Sequence, residues 1–304
     1  MQYQPSGILV VDKPADTTSA KVVERVKRSL NANKVGHAGT LDPFATGVLI
    51  CLINRATRIA RFFLQGNKTY DAVLCLGIET DTQDETGKII SRCDENRVSE
   101  RSLMTAFKMI EGEIRQIPPI FSALKQNGIP LYKLARSGKP VQKPARSVFI
   151  SSIRILEINL PIIRFEVSCT SGTYIRTLCA DIGRTLGCGG HLKELRRLES
   201  SGFTLDKALT LTEVEKLASS GKLSEQIIGM SKALEDFPEI VADHALVKKI
   251  RYGQTITRAD FRSGKIERRR PDNFIKIVDK KDHLLAIINE QRDNYEYKYC
   301  CVLQ

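Results

Sequence analysis

In the stretch KVGHAGTLDPFATGVLI, Lys34 to Ile50, Asp42 is the only acidic residue. Gly36, Gly39 and Gly47 let the backbone turn tightly and leave space beside the carboxylate. Pro43 follows directly. An Asp-Pro pair commonly opens a turn, with the carboxylate bonded to its own backbone. The chemical alternative is a loop carboxylate whose small neighbours admit a bulky substrate, so that it serves as a nucleophile. His37 can line the same pocket or simply hold a loop carbonyl. The chain has four histidines, far apart in sequence, and no Ser–His or Cys–His arrangement is evident.

Metal chemistry has weaker support. The run Glu79-Thr80-Asp81-Thr82-Gln83-Asp84-Glu85 fails as a calcium loop: counting from Asp81, position three is Gln83 and the glycine falls at seven. A turn closing at Gly87 accounts for it better. The eight cysteines form no CxxC pair, and Cys51, Cys75, Cys169 and Cys179 lie in apolar or periodic segments. That pattern suits buried free thiols in a reducing, cytoplasmic setting. No phosphate loop or dinucleotide fingerprint is present, so no cofactor is expected.

These residues need elements to position them. Gly7 to Val11 reads as a buried strand. Ser19 can cap a helix with Val22, Val23, Val26 and Leu30 on one face. Val48 to Ile53 is apolar throughout and fits either a strand or a buried helix. Tyr70 to Ile78, Ser147 to Asn159, Ile162 to Thr170 and His191 to Leu198 read as strands. Ser99 opens a helix that Gly112 closes. Thr173 to Leu186 is an amphipathic helix whose start, Ser171-Gly172-Thr173, leaves N–H groups free for an anion. Leu211 to Ala218 and Leu223 to Met230 also read as helices. Strands and helices mix without βαβ alternation, which predicts an α+β fold.

The whole chain, 304 residues with a formal charge of +12, suits one large domain plus a small one and an acidic partner such as nucleic acid. Arg115 to Arg154 holds eight basic residues, no acidic ones and five of the eleven prolines. It reads as an irregular excursion, mobile alone and ordered on nucleic acid. Texture changes near Glu235-Asp236-Phe237-Pro238, dividing residues 1–235 from a smaller β-rich module, 236–304. The first residues carry no basic leader, so no signal peptide is expected. The longest uncharged run, Pro43 to Asn54, is too short to span a bilayer.

GHAGTLDPFATG resembles the catalytic loop of the TruB family of tRNA pseudouridine synthases. DKPADTTS, KTYDAVLCLGIETDTQDETG, QIPPIFSALKQNGIPLYKLARSG and SGTYIRTLCADIGRTLGCGGHLKELRR resemble further blocks of that family, in the same order. The likeness spans roughly residues 7 to 210. Ala15-Asp16, Phe121 and Gly190 depart from it, where glycine (second of the pair), tyrosine and alanine are usual.

The resemblance implies a pseudouridine-synthase-like domain with a central sheet, and a PUA-like RNA-binding domain at the end of the chain. It implies isomerisation of uridine to pseudouridine at position 55 in the T arm of tRNA, by base flipping and without a cofactor or metal. Asp42 matches the essential aspartate and Arg176 its arginine partner. Tyr70 and Tyr174 match active-site tyrosines, Leu195 a residue lining the uracil pocket, and His37 the histidine that holds displaced nucleotides. A monomer is expected. A non-catalytic RNA-binding or tRNA-folding protein of the same architecture is the rival reading.

Overall fold

Alternating or continuous apolar runs build a sheet when no break interrupts them, and a mixed sheet of ten strands organises this protein. The computed structural model describes residues 5–93, 98–261, 273–290 and 296–303. The chain begins β1 (Gly7–Lys13), α1 (Ser19–Ser29), β2 (Val35–His37), β3 (Thr46–Ile53), α2 (Ala60–Leu64) and β4 (Lys68–Leu76). A hairpin, β5 (Ile78–Thr80) and β6 (Ile89–Arg92), precedes α3 (Glu100–Met109) and β7 (Gly112–Gln116). A small hairpin, β8 (Lys125–Gln126) and β9 (Ile129–Pro130), leads to α4 (Leu131–Arg136). Then come β10 (Arg146–Asn159), β11 (Ile162–Cys169), α5 (Ile175–Thr185), β12 (Gly190–Ser200), β13 (Phe203–Thr204), β14 (Leu209–Thr210) and α6 (Leu211–Ser219). The last part is β15 (Glu239–Val241), α7 (His244–Arg251), β16 (Ile256–Thr257), β17 (Phe274–Val278), β18 (Leu284–Glu290) and β19 (Glu296–Val302).

The main sheet has the order β14-β1-β3-β12-β4-β11-β10-β7, with β2 on β3 and β13 on β12. β3 sits inside it and is buried on both faces, which is why its sequence carries no period. One face packs on α3 and α5 around Leu74, Phe107, Phe165 and Leu178. The same face, further along the sheet, packs on α1 and α6 around Val22, Val26, Leu49 and Val214, while the opposite face of β1 and β3 buries Val10, Val48 and Ile50 with Phe62 and Phe63. The expected α+β class is the one observed.

The five-stranded sheet β15-β17-β18-β19-β16 has its own core around Leu246, Ile250, Ile277 and Ile288. A mixed cluster joins it to the main body, with Phe62 edge-on to Phe237 at 5.4 Å and to Phe274 at 5.1 Å. Among the described residues no helix is long and apolar enough to cross a membrane.

Three local expectations shift. Thr18, not Ser19, caps α1, accepting from the Lys21 amide. Leu223–Gln226 makes a single 3₁₀ turn rather than opening a longer helix, because Ile228 instead exchanges both backbone bonds with Ile8 at 2.9 Å. The basic excursion is bracketed by regular strands, since Arg115 lies on β7 and Arg146 to Arg154 on β10. Within it, Leu131 is fully buried.

Candidate active site

Asp42 stands in the loop between β2 and β3, and three buried polar side chains hold that loop. Ser19 Oγ accepts from the Leu41 amide at 3.0 Å and donates to the Leu41 carbonyl at 3.1 Å. Lys13 Nζ donates to Pro43 O at 3.0 Å, and to Pro14 O and Thr17 O at 2.8 and 2.7 Å. Arg197 donates to Gly39 O at 3.0 Å on one flank and to Val48 O at 2.7 Å on the other. Gly47 lies at φ +104°, and a Cβ there would sit 2.2 Å from Arg197 O. Only glycine lets β3 pass β12 this closely.

Strand register brings the remaining groups. Arg197 on β12 stands opposite both Gly47 on β3 and Tyr70 on β4. Leu195, two residues earlier, shares its face. Asp42, Tyr70, Tyr174, Arg176 and Leu195 all line one cleft of about 330 Å³. His37 does not line it. It lies on β2 opposite Cys51, with Nδ1 buried and without a hydrogen-bond partner among the described residues; burial, and then Arg197, lower its pKa.

Arg176 is 3% exposed, and its Nε is 2.9 Å from Asp42 Oδ2. Nε makes no directed hydrogen bond there, so the contact is an ion pair whose N–H is not yet aligned. The guanidinium is fixed from behind by Thr82 O at 2.8 Å and Phe121 O at 2.9 Å. Asp84 Oδ2 lies 3.6 Å from the same Nε. Asp84 is itself buried and accepts from Thr82 Oγ1, Thr86 N and Thr86 Oγ1. A buried cation thus faces two carboxylates, which offsets its desolvation. Asp42, with a side chain 35% exposed, is open to water on the cleft side.

Burial shapes the other ionisations. It raises the Tyr70 phenol, an effect the Arg197 guanidinium partly opposes, so the hydroxyl keeps its proton at neutral pH. It lowers Lys13 and Lys68 to about 8. Lys68, also on the cleft wall, donates to Leu64 O and Gly66 O at 3.2 and 2.6 Å. The α5 start is less free for an anion than the sequence suggests. Thr173 N bonds Thr170 O, and Tyr174 N bonds Gln116 Oε1 at 2.8 Å.

Asp84, Lys13, Ser19 and Arg197 enter the site without having been singled out for it. Lys13 stands in DKPADTTS and Arg197 in KELRR, so position in a motif was the available signal. Asp84 stands in KTYDAVLCLGIETDTQDETG, but as one carboxylate in an acidic run it was not set apart from its neighbours. Among the described residues no metal-binding cluster occurs.

The sequence departures are accommodated. Asp16 takes φ 57°, a left-handed turn that Asp tolerates. Phe121 meets Arg176 through its backbone, which needs no hydroxyl. A Cβ on Gly190 would come 3.0 Å from Leu74 Cδ1.

The Asp42 loop, the buried Arg176 and Tyr70 thus meet around one cleft on a mixed sheet. Residues 27–175 match the TruB family pseudouridylate synthase (N terminal domain), and 176–235 the tRNA pseudouridylate synthase B C-terminal domain. A tRNA pseudouridine synthase B of Syntrophotalea carbinolica is 44% identical over 82% of this chain and 81% of that protein. One from Francisella tularensis is 46% identical over 72% and 73%. Among solved structures, Cbf5 in a Cbf5-Nop10-Gar1 complex aligns with TM-score 0.73 and 28% identity, over 98% of this chain and 85% of that one. The chain belongs to the TruB family.

Proposed function

We propose that this protein is a tRNA pseudouridine synthase, acting as a cytoplasmic monomer on the uridine at position 55 of the T arm. The observation that carries the reading is the Asp42–Arg176 pair, 2.9 Å apart in a cleft shared with Tyr70. The reaction breaks the bond from the sugar to N1, turns the uracil, joins C5 to the same carbon, and exchanges the C5 hydrogen for a proton on N1, so that the product is an isomer of uridine. No external group is transferred.

Asp42 is the carboxylate that acts on the nucleotide. Arg176 holds it ionised and oriented. The Tyr70 ring lies against the base, with its protonated hydroxyl placed for proton transfer. Leu195 gives the apolar wall, Tyr174 the opposite lip, and His37 meets nucleotides displaced outside the cleft. The uridine must leave its stack, at a cost of a few kcal/mol. Lys125, Lys133, Arg136 and Lys139 in the excursion are exposed, and phosphate contacts from them would offset this. Bound RNA would also cover the open side of Asp42 and exclude water that could hydrolyse the sugar. The module after residue 235 is read as a PUA-like RNA-binding domain.

The test is release of labelled C5 hydrogen from a T-arm stem-loop. Release that depends on the uridine at the target position supports the reading. Binding without release would favour a non-catalytic RNA-folding role.

A further inference from the structure

Four cations line the cleft: Lys68, Arg146, Arg176 and Arg197. Three are engaged by protein groups. Arg176 is held by Asp42, Thr82 and Phe121. Arg197 is held by Gly39 and Val48, and Lys68 by Leu64 and Gly66. Arg146 is different. Only its Nη2 has a partner among the described residues, donating to Gly172 O. Its Nε is buried with no hydrogen-bond partner among the described residues.

The side chain is nonetheless firmly placed. Its Cζ lies 4.9 Å from the centre of the Tyr174 ring, a cation–π contact that orients the planar guanidinium. Gly172 makes room: at φ +91°, a Cβ would approach Cζ to 3.3 Å. Arg146 opens β10 directly opposite Gln116 on β7. Gln116 is wholly buried and clamps Tyr174 from the other side, accepting from its N–H at 2.8 Å and donating to its carbonyl at 3.0 Å. A rigid arginine with unused N–H donors on the wall of a cleft is a site waiting for an anion.

We propose that Arg146 binds a backbone phosphate flanking the flipped uridine, while its stack on Tyr174 holds that ring against the nucleotide. This rests on the reading that a nucleotide enters the cleft. A guanidinium matches the two free oxygens of a phosphodiester, which an ammonium does not. Because Arg146 stands where the basic excursion returns to the sheet, one residue links grip on the RNA backbone to placement of the base.

The test is a chemical double-mutant cycle. T-arm stem-loops carrying a neutral methylphosphonate at the linkage 5′ or 3′ of the target uridine are bound to wild type, Arg146→Gln and Arg146→Lys. Neutralising one of the linkages should weaken wild-type binding about tenfold and Arg146→Gln binding by less than about twofold, with Arg146→Lys between. Equal losses in all three proteins, or no loss in wild type, would overturn the proposal. Arg146→Lys keeps the charge and guards against a variant that does not fold. Hydrogen release by wild type on unmodified RNA separates the two claims: its absence counts against the synthase reading, whereas the linkage pattern alone judges Arg146.

Discussion

The hydroxyl of Ser19 satisfies both backbone polar groups of Leu41, at 3.0 and 3.1 Å, from the start of a helix far away in sequence. Leu41 directly precedes Asp42, and the contact is buried. Ser19→Ala would leave a buried amide and carbonyl unpaired, a cost of about 1–3 kcal/mol, and would loosen the reactive loop. Thr18→Ala removes only a helix cap, about 1 kcal/mol. Denaturant unfolding should therefore show both variants weakened, while single-turnover rates fall markedly only for Ser19→Ala. Equal rates for the two would show that Ser19 does not position Asp42.

That contact also marks what a sequence can express. Thr17, Thr18 and Ser19 are all competent caps, so the cap was legible and its owner was not. The owner depends on which hydroxyl the tertiary fold draws elsewhere. Asp42, Tyr70, Tyr174, Arg176 and Leu195 were legible together because they occupy distinctive motifs, and they converge on one cleft. Asp84 needed the knowledge that the β5–β6 hairpin folds back onto Arg176, a contact between segments remote in sequence. Arg146 was visible as one charge in a basic run, but its stack on Tyr174 depends on Gln116, its register partner on β7, which holds the Tyr174 backbone. The strand–helix ambiguity of Val48 to Ile53 was physical, since a segment buried on every side has no polar face to betray its period.

Two lysines make a prediction about pH. Burial brings Lys13 and Lys68 from 10.5 to about 8. Between those values the unfolded chain binds more protons than the folded one, so these groups make stability rise with pH. Cys51 and Cys169, pushed up from 9.0 to about 12 and about 11, act oppositely, but only above their unfolded value. From about pH 8 to 9 the denaturation midpoint should hold or rise. The rate should fall over the same range, because a neutral Lys13 amine has too few N–H groups for Pro14, Thr17 and Pro43. Parallel loss of stability and rate would contradict this.

Tyr70→Phe should bind the T-arm nearly as well as wild type and turn it over about 10²–10⁴-fold more slowly. The ring keeps its place in the core between β12 and β11, so the fold should persist. Only the hydroxyl is lost, and burial keeps that group protonated. A wild-type single-turnover rate would remove it from the mechanism.

Asp42→Asn should abolish pseudouridine formation while leaving tRNA affinity within about tenfold of wild type, roughly 1.4 kcal/mol. The two side chains have similar volume. The loop is held through Leu41, Pro43, Gly39 and Val48 by Ser19, Lys13 and Arg197, none of which bonds the Asp42 carboxylate. Its geometry should therefore survive the change. Arg176 would lose its nearer carboxylate but keep Asp84 at 3.6 Å, so the buried cation stays compensated and the site should not collapse. A turn residue alone would be served almost as well by asparagine, and activity would persist. A carboxylate that attacks carbon or accepts a proton has no such substitute, since a neutral amide does neither usefully near neutral pH. Filter binding and C5-hydrogen release, measured on the same preparation, decide the matter. Retained release would refute the catalytic assignment of Asp42, and lost binding would mean that the carboxylate serves RNA recognition or the loop's shape rather than the chemistry.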